Sequence, residues 1–137
     1  DRNSHLIYGF EPGTTKQQFI SSLVQVTAGY SLLFSPETIG TGTRVTVRKD
    51  ADGIAIAAYT ILIFGDVNGD GNIDTADAGS IVDYENFLVE WDPAENAAVL
   101  KAADLNGDGN VDTIDAGLIV DVENFLLTVN QTTGLAG

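Results

Sequence analysis

The chain contains no cysteine and no methionine, one histidine, one tryptophan and three prolines among its 137 residues. Without cysteine there is neither a disulfide framework nor a thiolate metal site. The lone histidine, His5, leaves no room for ordinary zinc chemistry or for a histidine-based catalytic triad. No apolar run reaches the roughly 20 residues that a membrane-spanning helix needs. No signal-peptide pattern stands at Asp1; a processed or excised segment reads the same way, so compartment has to be argued from other features. Bases are scarce as well, six against twenty acids, for a formal charge of −14.

That charge is unevenly placed. Residues 1–64 hold five acids and five bases, whereas residues 65–137 hold fifteen acids and Lys101 as their only base. A composition break therefore falls near Phe64–Gly65. An acidic half of this kind will not bind nucleic-acid phosphates or an anionic membrane through its field. Regularly spaced apolar residues (Ile81, Val82, Phe87, Leu88; Ile119, Val120, Phe125, Leu126) argue against a disordered acidic tail. Carboxylates gathered around cations are the better reading.

The acids recur in a pattern. Residues 65–88, GDVNGDGNIDTADAGSIVDYENFL, and 103–126, ADLNGDGNVDTIDAGLIVDVENFL, are identical at 18 of 24 positions, an internal duplication. Numbered from Asp66, positions 1, 3 and 5 are Asp66, Asn68 and Asp70, each able to aim a side-chain oxygen at one centre. Gly71 at position 6 permits the sharp turn, and Asn72 at position 7 offers its backbone carbonyl. Ile73 at position 8 plugs the loop into a core. Asp74 at position 9 acts through water, and Asp77 stands at position 12. This is the oxygen-ligand spacing of the EF-hand calcium loop. The second loop repeats it with Asp104, Asn106, Asp108, Gly109, Asn110, Val111, Asp112 and Asp115. One such turn on an acidic surface would carry little weight; two complete twelve-residue loops carry much more. Oxygen-only ligands in this number favour calcium over a softer metal or over magnesium, so two Ca2+ ions are expected.

Position 12 departs from the sensor pattern, which has a bidentate Glu there. Asp is one methylene shorter, so the helix that leaves each loop has to sit closer to the ion. The segment before the first loop, residues 60–64, is β-branched and aromatic and reads as strand rather than helix. The first unit is then a loop followed by one helix from about Asp77 to Glu90, and the last helix runs from about Asp115 to Thr128. Between them a short helix is expected to start at Asp92 as N-cap, with Pro93 in its first turn and Val99, Leu100 and Ala103 on its inner face. Gly79 and Gly117 weaken the two main helices by ~1 kcal/mol each relative to alanine, and their repetition suggests close helix approach.

Taken together, residues 65 to about 128 resemble the dockerins of bacterial cellulosomes and related extracellular complexes. The resemblance rests on duplicated D-x-N-G-D-G-x-[IV]-D-x-x-D loops, Asp at position 12, a helix after each loop and a linking helix. It implies an all-α dockerin fold of two calcium-loop–helix (F-hand) repeats related by a pseudo-twofold axis. It also implies calcium-dependent docking onto a cohesin module of a scaffold or cell-surface protein. Loop positions 10, 11, 17, 18 and 22 are then the partner-binding candidates: Thr75, Ala76, Val82, Asp83 and Phe87, and Thr113, Ile114, Val120, Asp121 and Phe125. Many dockerins carry Ser/Thr at 10 and 11 and Lys/Arg at 17 and 18, so Val–Asp here points to a divergent specificity group. By their chemistry alone Val82 and Val120 fit a core stripe as well as a contact, and Asp83 and Asp121 fit solvated surface as well. Small domains keep aromatics inside, so core is the expectation for Phe87 and Phe125, with contact as the alternative.

Residues 1–64 read as a small α+β module, one helix on a small antiparallel sheet. A Thr15–Gln18 capping box opens a helix in residues 14–24, with Phe19, Ile20, Leu23 and Val24 at helical spacing. His5–Phe10 and Tyr30–Phe34 read as strands. The period-two run 43–48 joins the apolar run Ile54–Phe64 through a turn at 50–53, as a hairpin. No catalytic constellation stands out: Glu11 and Glu37 are not tied together, and His5 reads as a surface or satisfied strand residue rather than a base. The module loosely resembles the accessory (X) modules that precede some dockerins. With no linker between Phe64 and Asp66, the two modules should share an interface. Residues 131–137 read as a disordered tail after a dockerin of 65–130.

The expected function is a non-catalytic docking module that assembles an extracellular, polysaccharide-degrading complex on the bacterial cell surface. Its partner is a cohesin of a scaffoldin-type protein, with neither nucleic acid nor membrane involved, and the chain is monomeric until bound. The alternative is an EF-hand-type calcium-responsive regulator; the missing first helix, the absent methionine and Asp at position 12 count against it. Each loop lines up four carboxylates that repel one another without a cation, which couples metal binding to folding. Chelation should therefore unfold the C-terminal half, and far-UV circular dichroism that stays unchanged in excess EDTA would refute this.

Overall fold

The computed structural model describes residues 5–9, 11–15, 17–19, 29–35 and 38–137. The alternating segment Arg44–Lys49 forms strand β3 and pairs antiparallel with β2 (Tyr30–Ser35) and with β4 (Ala55–Ile61). Gly53, at φ 71°, turns the β3–β4 hairpin, where the Lys49 and Ile54 ends are held by a 2.9 Å backbone hydrogen bond. The expectation of an antiparallel sheet needs correcting. Strand β1 (Leu6–Ile7) runs parallel to β4, so the sheet is mixed, in the order β1-β4-β3-β2. A strand's period fixes which side chains share a face but not its neighbour or direction. The hairpin leaves one edge of β4 open, and the carbonyls of His5 and Ile7 fill it by accepting from the amides of Thr60 and Leu62.

Residues 17–19 are helical, and the capping box is formed: the Thr15 amide donates to Gln18 Oε1 at 3.0 Å and the Gln18 amide to Thr15 Oγ1 at 3.1 Å. Phe19 is buried edge-on against Phe34, ring centroids 5.7 Å apart. Of the expected helical segment, Lys16 and residues 20–24 lie outside the described residues, as do Phe10 and Glu37.

The junction between the halves follows from strand geometry. Side chains of an extended segment alternate between its two sides. Ile61 and Ile63 enter one core with Phe19, Phe34, Ile39 and Val45, beneath the sheet. Leu62 and Phe64 enter the other, with Val67, Ile81, Leu105 and Ile119 of the helical half, which Leu6 also joins. One four-residue run thus sews both cores together.

In the helical half, α1 (Thr75–Glu85) and α3 (Thr113–Glu123) each start at the first loop residue after a capping Asp. Asp74 and Asp112 form reciprocal capping boxes with Asp77 and Asp115. Both helices are shorter than the sequence suggested. The amides of Phe87 and Leu88 return to the carbonyls of Tyr84 and Asp83, and those of Phe125 and Leu126 to Val122 and Asp121. This is the Schellman arrangement, which stops each helix with Phe87 or Phe125 at φ 61°. The Phe–Leu pairs are therefore cap residues and not a last helical turn.

The linking helix α2 (Ala97–Ala103) also begins later than expected, with Asn96 at the N-cap. Asp92 instead organises a preceding turn, its Oδ1 accepting from the Ala94 amide at 2.7 Å. The inner face of α2 is made by Ala98, Ala102 and Ala103, while Val99 and Leu100 are only half-buried. Close approach of helices at Gly79 and Gly117 is not found: a Cβ at either position would meet nothing within 4 Å.

The closing segment is ordered, contrary to the expected disorder. Val129 bridges Ala136, the Gly137 amide donates to the Thr128 carbonyl at 3.0 Å, and the Ala136 amide to Leu105 at 3.0 Å. Gln131 is buried and grips the junction: its Oε1 accepts from the Phe64 amide at 2.8 Å, and its Nε2 donates to the Phe64 carbonyl at 2.9 Å. Polarity made this stretch look solvated, but its amide serves a backbone unit that has left the sheet. Gln131→Ala leaves both buried groups unsatisfied and should destabilise the chain by roughly 2–4 kcal/mol. Urea denaturation checks this, and a loss below about 0.5 kcal/mol would contradict it.

Candidate functional site

Each duplicated loop curls so that its carboxylates converge. Asp66, Asp70 and Asp77 bring one oxygen each to within 4.8 Å of one another, and Asp104, Asp108 and Asp115 do the same. The side chains at positions 3 and 5 shape the turn through Asx-type bonds. Asn68 Oδ1 accepts from the Asp70 amide at 3.1 Å, and Asn106 Oδ1 from the Asp108 amide at 3.2 Å. The amides of Asn72 and Asn110 donate to Asp70 and Asp108 at 2.9 and 2.8 Å. Asp74 and Asp112 stand apart from these clusters. Each Oδ1 accepts from a helix amide, Ala76 or Ile114, at 3.0 Å. Position 9 therefore acts here as a helix cap.

Position 12 ties each helix to its loop. Asp77 Oδ1 accepts from the amides of Val67 and Asn68 at 2.8 and 3.0 Å, and Oδ2 from Asp74 at 2.9 Å. Asp115 repeats this with Leu105, Asn106 and Asp112 at 3.0, 3.4 and 3.0 Å. Both carboxylates are buried. A shorter Asp suffices because the helix N-terminus lies directly against the loop.

The two loops differ at position 1. Asp66 is fully buried and accepts four backbone amides: Gly69 and Asp70 on Oδ1, Gly71 and Thr41 on Oδ2. Asp104 is half-buried and accepts two, from Gly107 and Gly109 at 3.1 and 3.0 Å. Thr41, from the sheet half, escaped the sequence reading because nothing in either loop motif encodes it. The only signal was the alternating glycine run 40–43, which fits close backbone approach.

The docking candidates fall at the ends of the helix pair. Thr75 Oγ1 donates to Glu123 Oε2, and Thr113 Oγ1 to Glu85 Oε1 at 3.4 Å, so the start of each helix meets the end of the other. Each end combines one helix's first turn with the other's Phe–Leu cap: Thr113 and Ile114 with Phe87, and Thr75 and Ala76 with Phe125. Ala76 and Ile114 are exposed, and Val82 and Val120 are half-buried against the helical core. Asp83 is exposed and Asp121 is half-buried. The core expectation for the phenylalanines fails: Phe87 and Phe125 are 91% and 95% exposed. Termination of the helix at Asn86 and Asn124 turns them outward.

Burial, countered in part by the backbone amides, raises the carboxyl of Asp66 to about 6 and that of Asp77 to about 7, and raises Asp115 as well. A carboxyl whose pKa is raised on folding favours the folded state while protonated. That stability is complete below the ordinary carboxylate pKa, near 4, and is lost as pH climbs through about 6 to 7. A divalent cation reverses the balance by favouring the ionised form. The metal-stripped chain should melt at a lower temperature at pH 8 than at pH 5, and calcium should abolish this decline. Thermal scans at both pH values decide it; a metal-free chain that is more stable at pH 8 would contradict the assignment.

Oxygen-only donor sets of three converging carboxylates fit a hard cation such as calcium. Among the described residues, no helix is long and apolar enough to cross a membrane. Nothing matches the chain among curated proteins or among solved structures. Residues 64–121 match the family model of the dockerin type I domain. Dockerin domains are non-catalytic, calcium-binding modules that dock onto cohesins, and the proteins that carry them are typically extracellular. The duplicated loops, each opening a capped helix, agree with that match, and residues 64–121 belong to the dockerin family.

Proposed function

We propose that the chain is a calcium-dependent docking dyad that attaches a larger protein to a cohesin of a scaffoldin-type or cell-surface protein, within an extracellular polysaccharide-degrading complex. In this reading residues 65–130 form the all-α dockerin fold of two F-hand repeats, and residues 1–64 form an accessory module that stabilises it or extends its contact surface. Two Ca2+ ions are held, one by Asp66, Asn68, Asp70, Asn72 and Asp77 with Asp74 acting through water. The other is held by Asp104, Asn106, Asp108, Asn110 and Asp115 with Asp112 in the corresponding role. The ions neutralise buried carboxylates and fix the two helix starts on which the docking residues sit.

The observation that carries the docking reading is the pair of exposed phenylalanines. A bulky residue at φ 61° occupies left-handed backbone, where an L side chain costs roughly 1–2 kcal/mol and where Schellman caps normally have glycine. Strain retained twice, on side chains almost wholly exposed, points to a use outside the fold. Leu88 and Leu126 are also exposed, so each end of the helix pair offers an aromatic anchor with an aliphatic neighbour. The ends are alike but not identical: Ile114 at one end faces Ala76 in the equivalent place at the other. Such near-symmetry allows docking in two orientations related by 180°. For the regulator alternative no observation speaks, because the first loop follows β4 and an extended segment rather than a helix.

Calorimetry against cohesins of several types, in millimolar calcium and in EDTA, tests this proposal. One-to-one binding to one of them, lost in EDTA, is expected. Phe87→Gly and Phe125→Gly should each stabilise the calcium-loaded chain by up to about 1 kcal/mol, while the double variant no longer binds. If that double variant keeps full affinity, the assigned docking surface is wrong.

A further inference from the structure

The two loops have nearly the same sequence and the same donor set, yet they are not covered alike. A segment of the sheet half, Ile39–Thr41, lies along the first loop backbone to backbone. The Thr41 amide donates to Asp66 Oδ2 at 2.9 Å; beside the strap, from a separate segment, the Gly13 amide donates to the Gly71 carbonyl at 2.7 Å. The approach leaves no room for side chains. A Cβ on Gly40 would sit 2.1 Å from the Gly69 carbonyl oxygen, one on Gly69 2.5 Å from that of Thr41, and one on Gly71 2.4 Å from that of Ile39.

This strap is itself anchored. Thr41 Oγ1 donates to the Ile63 carbonyl at 3.0 Å and accepts from the Ile63 amide at 3.1 Å. Thr43 Oγ1 accepts from the Gly40 amide at 3.1 Å and donates to the Thr38 carbonyl at 2.7 Å. Among the described residues the second loop has no backbone laid along its glycines in this way; the closing segment reaches only its entry, where the Ala136 amide donates to the Leu105 carbonyl at 3.0 Å. A Cβ on Gly109 would meet no atom within 4 Å, and one on Gly107 would meet only the end of the Leu135 side chain.

We propose that the strap makes the two calcium sites unequal: it preorganises loop 66–77 into a tight, slowly releasing site, and leaves loop 104–115 as the weaker, fast-exchanging one. The inference rests on the calcium reading above. A calcium loop binds by wrapping its backbone around the ion, so rigidity of that backbone sets affinity and release together with the ligands. Holding Asp66 and Gly69–Gly71 in place before binding removes ordering cost from the first site alone. Thr41 is thus a positioning residue for the metal, acting through Asp66. By linkage, the ion in the first loop strengthens the attachment of the strap to an equal degree. Changes in free calcium would then empty the second loop first and leave the first loop and the junction intact.

The test uses the full chain, with calcium released into an excess of fluorescent chelator and followed by stopped flow. Two ions per chain should leave in two phases separated by at least about tenfold, the effect of one hydrogen bond to a charged group. Asp108→Ala should remove the fast phase and Asp70→Ala the slow one. Gly40→Ala, which pushes the strap off, should speed the slow phase by about tenfold and leave the fast phase unchanged. Release of both ions at one rate, loss of the slow phase in Asp108→Ala, or an unchanged slow phase in Gly40→Ala would each overturn the proposal. If Gly40→Ala does not fold, the phase assignment from Asp70→Ala and Asp108→Ala decides alone. A chain that binds no calcium at all would instead refute the underlying calcium reading.

Discussion

Much of this molecule depends on the four residues Ile61–Phe64, whose side chains alternate between two hydrophobic cores. Extended backbone makes such alternation automatic, and here it places Ile61 and Ile63 under the sheet and Leu62 and Phe64 among the helices. The chain cannot separate the halves at this point without withdrawing large apolar side chains from one core or the other. Gln131 completes the seam by satisfying both backbone groups of Phe64, where the strand has ended and no sheet partner remains.

The seam also explains why the first loop is built as it is. Asp66 follows the seam by two residues, so its carboxylate emerges beside the strap that Thr41 fastens to Ile63. Four amides converge on it, one of them from a segment 25 residues earlier. The second loop follows a short alanine-faced helix instead, and among the described residues its Asp104 takes amides only from its own turn. Duplication supplied two equal motifs, and the neighbouring module made them unequal.

At the opposite side of each loop the logic is internal. Asp77 and Asp115 bond to both the loop's entry and the helix's cap, so the shape of the carboxylate cluster and the direction of the helix are one arrangement. The helices then end in strained phenylalanine caps that bury nothing. Stability alone would favour glycine at both places. Cross-helix bonds from Thr75 and Thr113 bring each cap beside the other repeat's helix start, so the exposed surface at each end is composite and belongs to neither repeat by itself.

The sequence by itself determined the repeat, the converging carboxylates of both loops and the helix that leaves each one. It also determined the hairpin of β3 and β4 and the capping box at Thr15. These are written in local spacing, which needs no knowledge of distant segments. What the tertiary structure decided involves residues far apart in the chain. The parallel addition of β1, the burial of Gln131 and the amide of Thr41 on Asp66 are of this kind. So is the outward turn of Phe87 and Phe125, because hydrophobicity predicts burial, while the left-handed cap that exposes them is a backbone choice. Composition states what a side chain prefers; only the packed backbone determines which preferences are met.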